Sequence, residues 1–227
     1  MAALLITVDF ENRDQFKMIP EAGTLEEKSI PSWAKFSHMP CPGNIEHGPR
    51  IDYCRLGVEI ENLIKHFSNI ESTESGTLVM HYENGDEMRI RSDAQTIFFD
   101  SLWFILLHSN CSVFKYSQWA RSNYMPSTDP ERVFYMLFSI FLIEDYVVSP
   151  DKPPAVEHFR AEIHMLRDVL NNLLERVRES SGLTSDSVCN GIVMFSNLML
   201  FLNLKFDEFF HDLEERVKES SVLGVWV

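Results

Sequence analysis

The feature that most constrains this chain is a heptad seam in its last third, where Phe159, Ile163, Leu166, Leu170, Leu173 and Val177 step alternately by four and three residues. Apolar residues at that spacing line one stripe of an α-helix, and such a stripe is stable only when another surface covers it. A second seam, Val188, Ile192, Phe195, Met199, Leu202, Phe206, Phe209 and Leu213, follows Ser180-Ser181-Gly182 and the cap candidates Thr184, Ser185 and Asp186. Two long helices with so short a connection are expected to pack antiparallel along their seams. Val193, Met194, Leu198, Leu200 and Phe201 make the second helix apolar on nearly every face, so it is expected to sit centrally.

The start of the chain has a different period. Leu4, Ile6, Val8 and Phe10 fall on one side of a period-two ladder, and apolar residues resume at 16–19 after Glu11-Asn12-Arg13-Asp14, the pattern of a β-hairpin. A second hairpin is expected at 77–91, where Asn84-Gly85 lies between two alternating runs and suits the positive-φ positions of a type I′ turn. Between the hairpins Leu56, Ile60, Leu63, Ile64 and Phe67 recur at helical spacing, predicting an amphipathic helix over 53–69. Beyond residue 91 the chain reads as helix: Ser92-Asp93 caps one through His108, a shorter one spans 113–121, and Asp129-Pro130 starts one over 131–148 that Ser149-Pro150-Asp151-Lys152-Pro153-Pro154 stops. The expected fold is α+β, a small antiparallel sheet of two hairpins packed on about six helices and ending in a long antiparallel helical hairpin. One domain is expected over 1–227, with a sheet-containing part at 1–91 and a helical part at 92–227.

The composition, 45% apolar and 24% charged over 227 residues, is that of an ordinary globular chain. A net charge of −14 with no Lys/Arg cluster repels phosphate backbones and anionic lipid, so neither nucleic acid nor membrane is an expected partner. The N-terminus has no basic n-region, and the apolar stretch 133–148 is broken by Ser139, Glu144 and Asp145 before it reaches the roughly 20 residues of a bilayer span, which points to the cytoplasm.

In a reducing compartment the four cysteines, Cys41, Cys54, Cys111 and Cys189, are expected as thiols or metal ligands. His38-x2-Cys41 followed by Cys54 resembles half of a structural zinc site, and His108-x2-Cys111 supplies a second pair. Zinc takes four such ligands in a tetrahedron, and a thiol at a helix N-terminus, as at Cys54, loses its proton readily. His38, Cys41, Cys54 and Cys111 are therefore the candidate zinc ligands, with His108 as the alternate to His38. The competing reading is that these cysteines are small buried core residues.

The order Trp33 … His38-Met39-Pro40-Cys41-Pro42 … Tyr53-Cys54 … Ser109-Asn110-Cys111 … Trp119-Ala120-Arg121 … Met125-Pro126 resembles a family of uncharacterised bacterial proteins. Its members carry Cys-x2-Cys-Pro, Tyr-Cys-Pro and Ser-Gly-Cys-Pro, then Met-Ala-Arg and Leu-Pro. The similarity spans residues 33–203, and the first cysteine of the family's pair falls on His38. Arg55 and Ser112 replace the prolines after Cys54 and Cys111, and the histidine before Leu-Pro has no counterpart near Tyr124. The resemblance implies a shared α+β fold and a shared site, and no activity.

Asn171, Arg176, Asp186 and Asn190 lie on facing helices of the expected hairpin, and the family has Asn, Arg and Asp-x3-Asn at matching places. They make either a pocket for an anionic or amide-bearing ligand, or a polar layer that sets helix register with Asp186 as a cap. A metal-dependent hydrolase of a small phosphorylated molecule is the enzymatic alternative, but Glu157 with Glu162 and Glu175 with Glu179 lack the Glu-x2-Glu spacing that holds magnesium on facing helices. There is no Gly-rich phosphate loop, Gly-x-Ser-x-Gly or His-Glu-x2-His. The expected function is a non-enzymatic cytoplasmic interaction or regulatory protein of bacterial type, stabilised by a Cys/His zinc site. The apolar tail Val222-Leu223-Gly224-Val225-Trp226-Val227 is expected to dock on its own domain, or else to add to a sheet edge or to a partner, either another protein or a second copy in a homodimer.

Overall fold

The computed structural model describes residues 3–11, 13–19, 30–37, 39–42, 52–109, 127–148, 156–181 and 186–222. Four antiparallel strands, β1 (Ala3–Phe10), β2 (Phe16–Met18), β3 (Ser75–Tyr82) and β4 (Glu87–Asp93), form one sheet in the order β2-β1-β3-β4. The register stacks Met18, Ile6, Met80 and Met88 in one cross-strand row and Phe16, Val8, Leu78 and Ile90 in the next. Ile6, Val8, Leu78 and Met80 have no exposed surface, so this face carries the core side of the sheet. Keeping those rows in register leaves three residues between Tyr82 and Asp86. The loop therefore differs from the expected two-residue type I′ turn: the Gly85 N–H donates to the Tyr82 carbonyl, and Gly85 takes the left-handed position after the turn at φ +86°.

Among the described residues six α-helices follow the same chemistry. Helix α1 (Arg55–Phe67) lays its apolar stripe, Leu56, Ile60, Leu63 and Phe67, on the core. In α2 (Ala94–His108) Asp93 caps the first turn by accepting from the Thr96 N–H at 2.9 Å, and every residue from 97 to 107 is buried. The helix packs against β3, β4, α1 and the fifth helix, and that surrounds it with apolar surface. Helix α3 (Pro130–Val148) starts at Asp129, whose carboxylate accepts from the Glu131 N–H at 3.1 Å. The expected helix at 113–121 and the stop at 149–154 lie outside the described residues.

The seams pair as expected. Helix α4 (Val156–Ser181) packs on α5 (Asp186–Leu204), with Leu170, Leu173, Val177, Val188, Ile192, Phe195 and Met199 all at 2% exposure or less. Of the described helices only α5 is long and apolar enough to cross a membrane by composition, and here it touches α1, α2, α3, α4 and α6 as a core helix. Where it crosses α2, Gly191 lets the backbones close up: a Cβ there would stand 2.5 Å from the Phe98 ring and 3.1 Å from the Gln95 carbonyl.

The second seam is not one continuous helix. It is interrupted at Lys205, and α6 (Phe206–Val222) follows at once. Phe206 and Phe209 pack on Phe134 of α3, with ring centroids 5.6 and 5.1 Å away, and Phe210 meets Phe138 at 5.7 Å. Arg160 of α4 covers the junction with its guanidinium 4.5 Å over the Phe206 ring and an ion pair to Asp207.

Candidate functional site

The segment before α1 folds back on itself. Ser32–Ala34 make one 3-10 turn, Lys35 bridges Tyr53, the Phe36 N–H donates to the Asp52 carbonyl at 2.9 Å, and the Cys54 N–H donates to the Ala34 carbonyl at 2.6 Å. Residues 34–36 and 52–54 therefore run side by side, and the chain leads from the first of these segments to Cys41 and from the second into the helix that Cys54 caps. Both thiols are buried in the same apolar core, 7% and 9% exposed. Cys54 is the N-cap of α1, and its Sγ accepts from the Gly57 N–H at 3.4 Å. The sulfur thereby takes the place of the capping oxygen at the start of the helix.

The other two expected zinc ligands, His38 and Cys111, lie outside the described residues. Among the described residues no three His, Cys, Asp or Glu side chains are grouped to hold a metal ion. The alternate ligand His108 lies at the C-terminal end of α2 with Nδ1 2.7 Å from the Phe104 carbonyl. The carbonyl can only accept, so Nδ1 carries the proton of this hydrogen bond, the kind of backbone contact that orients an imidazole.

Arg176, in the penultimate turn of α4, is completely buried and reaches across to this segment. Nη1 donates to the carbonyls of Trp33 at 3.0 Å and Lys35 at 3.2 Å, Nη2 to that of Met39, and Nε to Oδ1 of Asn172 at 2.7 Å. Nδ2 of Asn172 in turn donates to the Pro40 carbonyl at 3.0 Å, and the Phe36 ring lies 5.4 Å from the guanidinium carbon. The planar fork of arginine spreads its charge over several acceptors at once, which a lysine cannot do.

The four polar residues expected to face one another across the hairpin take separate partners. Asn171 accepts from the Ser196 hydroxyl, a polar contact between α4 and α5. Arg176 engages the segment before α1. Asp186, in the first turn of α5, accepts from the Ser72 N–H at 3.0 Å, which ties α5 to the loop before β3. Asn190 is exposed on α5. Of these contacts, the one between Asn171 and Ser196 crosses from α4 to α5.

Two features of the structure escape a reading of the sequence. The first is Asp100, a lone carboxylate in the buried stretch of α2, 3% exposed and with no hydrogen-bond partner for Oδ1. Desolvation raises its carboxyl from the ordinary 3.8 to about 7. The signal was there, a single acid in the otherwise apolar run Phe98-Phe99-Asp100-Ser101-Leu102-Trp103-Phe104. The second is a cross-strand chain, with Thr7 Oγ1 3.4 Å from His81 Nε2 and His81 Nδ1 3.1 Å from Glu87. It has the order of a hydroxyl, base and orienting carboxylate, but at 5% exposure Thr7 has no room for a substrate carbonyl. No protein-family model matches this chain, and no curated protein or solved structure matches it either.

Proposed function

We propose that this chain is a non-enzymatic cytoplasmic protein, an interaction or regulatory module whose segment before α1 is stabilised by a structural zinc site of His38, Cys41, Cys54 and Cys111, with His108 as the alternate ligand. The observation that carries the reading is the capping thiol of Cys54, buried at a helix N-terminus beside the segment that leads to Cys41. A thiolate held there is the ligand type zinc prefers, and a closed four-ligand site contributes to folding without catalysis. The relationship to the bacterial family with Cys-Pro motifs is part of the same proposal, since the matching residues are those around Cys41, Cys54 and Cys111.

Two further observations support a binding role. The acidic side chains of α4 and α6 form exposed pairs, Glu157 with Arg160, Glu208 with Lys205 and Glu214 with Lys218, as on a solvated face. Ile143 and Val147 on α3, and Leu200, Phe201 and Leu204 on α5, present 40% to 74% of their surface to water, apolar area that a protein partner or a second copy would cover. Elemental analysis and a native mass of the purified protein test the proposal. About one zinc per chain is expected, lost on Cys54→Ser. Metal-free protein with all four thiols reactive toward a small disulfide would refute the site.

A further inference from the structure

We infer that Arg176 and Asn172 are a latch: they hold residues 30–37 and 39–42 against the helical hairpin, and opening of this strap alone, without global unfolding, exposes the thiols of Cys41 and Cys54. The juxtaposition is specific. One fully buried guanidinium on α4 takes the carbonyls of Trp33, Lys35 and Met39, 143, 141 and 137 residues away in sequence, and Asn172 adds that of Pro40. The strap also sets Trp33, Ala34 and Cys41 into the core and packs Ile30 and Phe36 against it, while Ser32, Lys35 and Ser37 are exposed, so the fork adds a polar clasp to this apolar footing. The hairpin itself is held by its apolar seams.

An element held at the edge of the core by a few apolar anchors and one polar clasp opens at a lower free energy than the helices it rests on. Removing one donor from such a network also leaves buried carbonyls unpaired, which weakens the closed state further. Release of the strap withdraws the Ala34 carbonyl from the Cys54 N–H and lifts Cys41 and Trp33 out of the core, and the Trp33 ring is what lies against Gly57, one turn on from Cys54, so both thiols gain access to solvent while α4 and α5 stay paired. The latch thereby sets when a soft cation or a thiol-reactive molecule reaches these sulfurs. This holds whether or not the site carries zinc, so it stands apart from the function proposed above.

The test is thiol labelling of the full chain with 5,5′-dithiobis(2-nitrobenzoate) in excess chelator under native conditions, with each cysteine followed by peptide mass spectrometry. In the wild type, half-exposed Cys189 should react first, and Cys41 and Cys54 slowly. Arg176→Lys, and the milder Asn172→Ala, should accelerate Cys41 and Cys54 together by about tenfold or more, as expected for the loss of charge-assisted hydrogen bonds, while leaving Cys189 unchanged. Leu170→Ala is the control, because it weakens the hairpin without touching the strap. At low urea the two thiols should react faster than the global unfolding rate read by far-ultraviolet circular dichroism. The inference is overturned if the latch variants label at the wild-type rate, if Cys41 and Cys54 respond separately, or if their labelling tracks global unfolding in every variant.

Discussion

Asp100→Asn should change how stability depends on pH. Asp100 lies in the wholly buried part of α2, and burial raises its carboxyl from 3.8 to about 7. Between those values the native state keeps a proton that the unfolded chain has lost. Raising the pH therefore destabilises the fold: the contribution of this group is intact below about pH 4 and is lost as the pH rises through about 7. A gap of about three pKa units is worth about 4 kcal/mol at about 1.4 kcal/mol per unit, and about 3 kcal/mol of it develops between pH 5 and pH 8. Asparagine has nearly the same shape and no charge to desolvate, so the variant should lack this dependence. Urea unfolding at pH 5, 6, 7 and 8, followed by circular dichroism, measures it. The stability difference should grow in favour of the variant by about 3 kcal/mol across that range and level off above about pH 7.5. Parallel profiles for the two proteins would mean that the carboxyl is ionised at low cost, and that the burial argument for Asp100 is wrong.

Gly191→Ala should destabilise the fold by about 1 to 3 kcal/mol in chemical denaturation despite the higher helix propensity of alanine, because the new Cβ meets the Phe98 ring and the Gln95 carbonyl and Phe98 is itself packed on Phe67. Leu170→Ala and Phe195→Ala should each cost about 2 to 5 kcal/mol. For Phe195 the near-ultraviolet dichroism should also change, since its ring lies 4.5 Å from that of Trp103. Metal-replete protein given a panel of nucleoside triphosphates and phosphomonoesters should show no turnover above background. Hydrolysis that disappears on Glu162→Gln would instead make the chain a metal-dependent hydrolase.

Local periodicity and capping chemistry were legible without coordinates. The α4 and α5 seams, the period-two alternation of β1 and β3, and the caps at Asp93 and Asp129 depend on residues within a turn or two of one another, so the order of side chains determines them. Tertiary structure decided the rest. The far end of the second seam packs on α3, where Phe206 and Phe209 meet the ring of Phe134, about 70 residues upstream, a surface whose position no local pattern encodes. The turn at Gly85 has three residues because the pairing of Met80 with Met88 and Leu78 with Ile90 fixes the register first. The sequence marked Arg176 as a pocket or polar-layer residue of the hairpin and not as a clasp on residues 33–39, because its partners across the fold are backbone carbonyls, which every residue carries and no side-chain identity marks. Asp100 is an ordinary acid in the sequence, and only enclosure on every side by α1, α5 and the sheet makes its proton hard to lose.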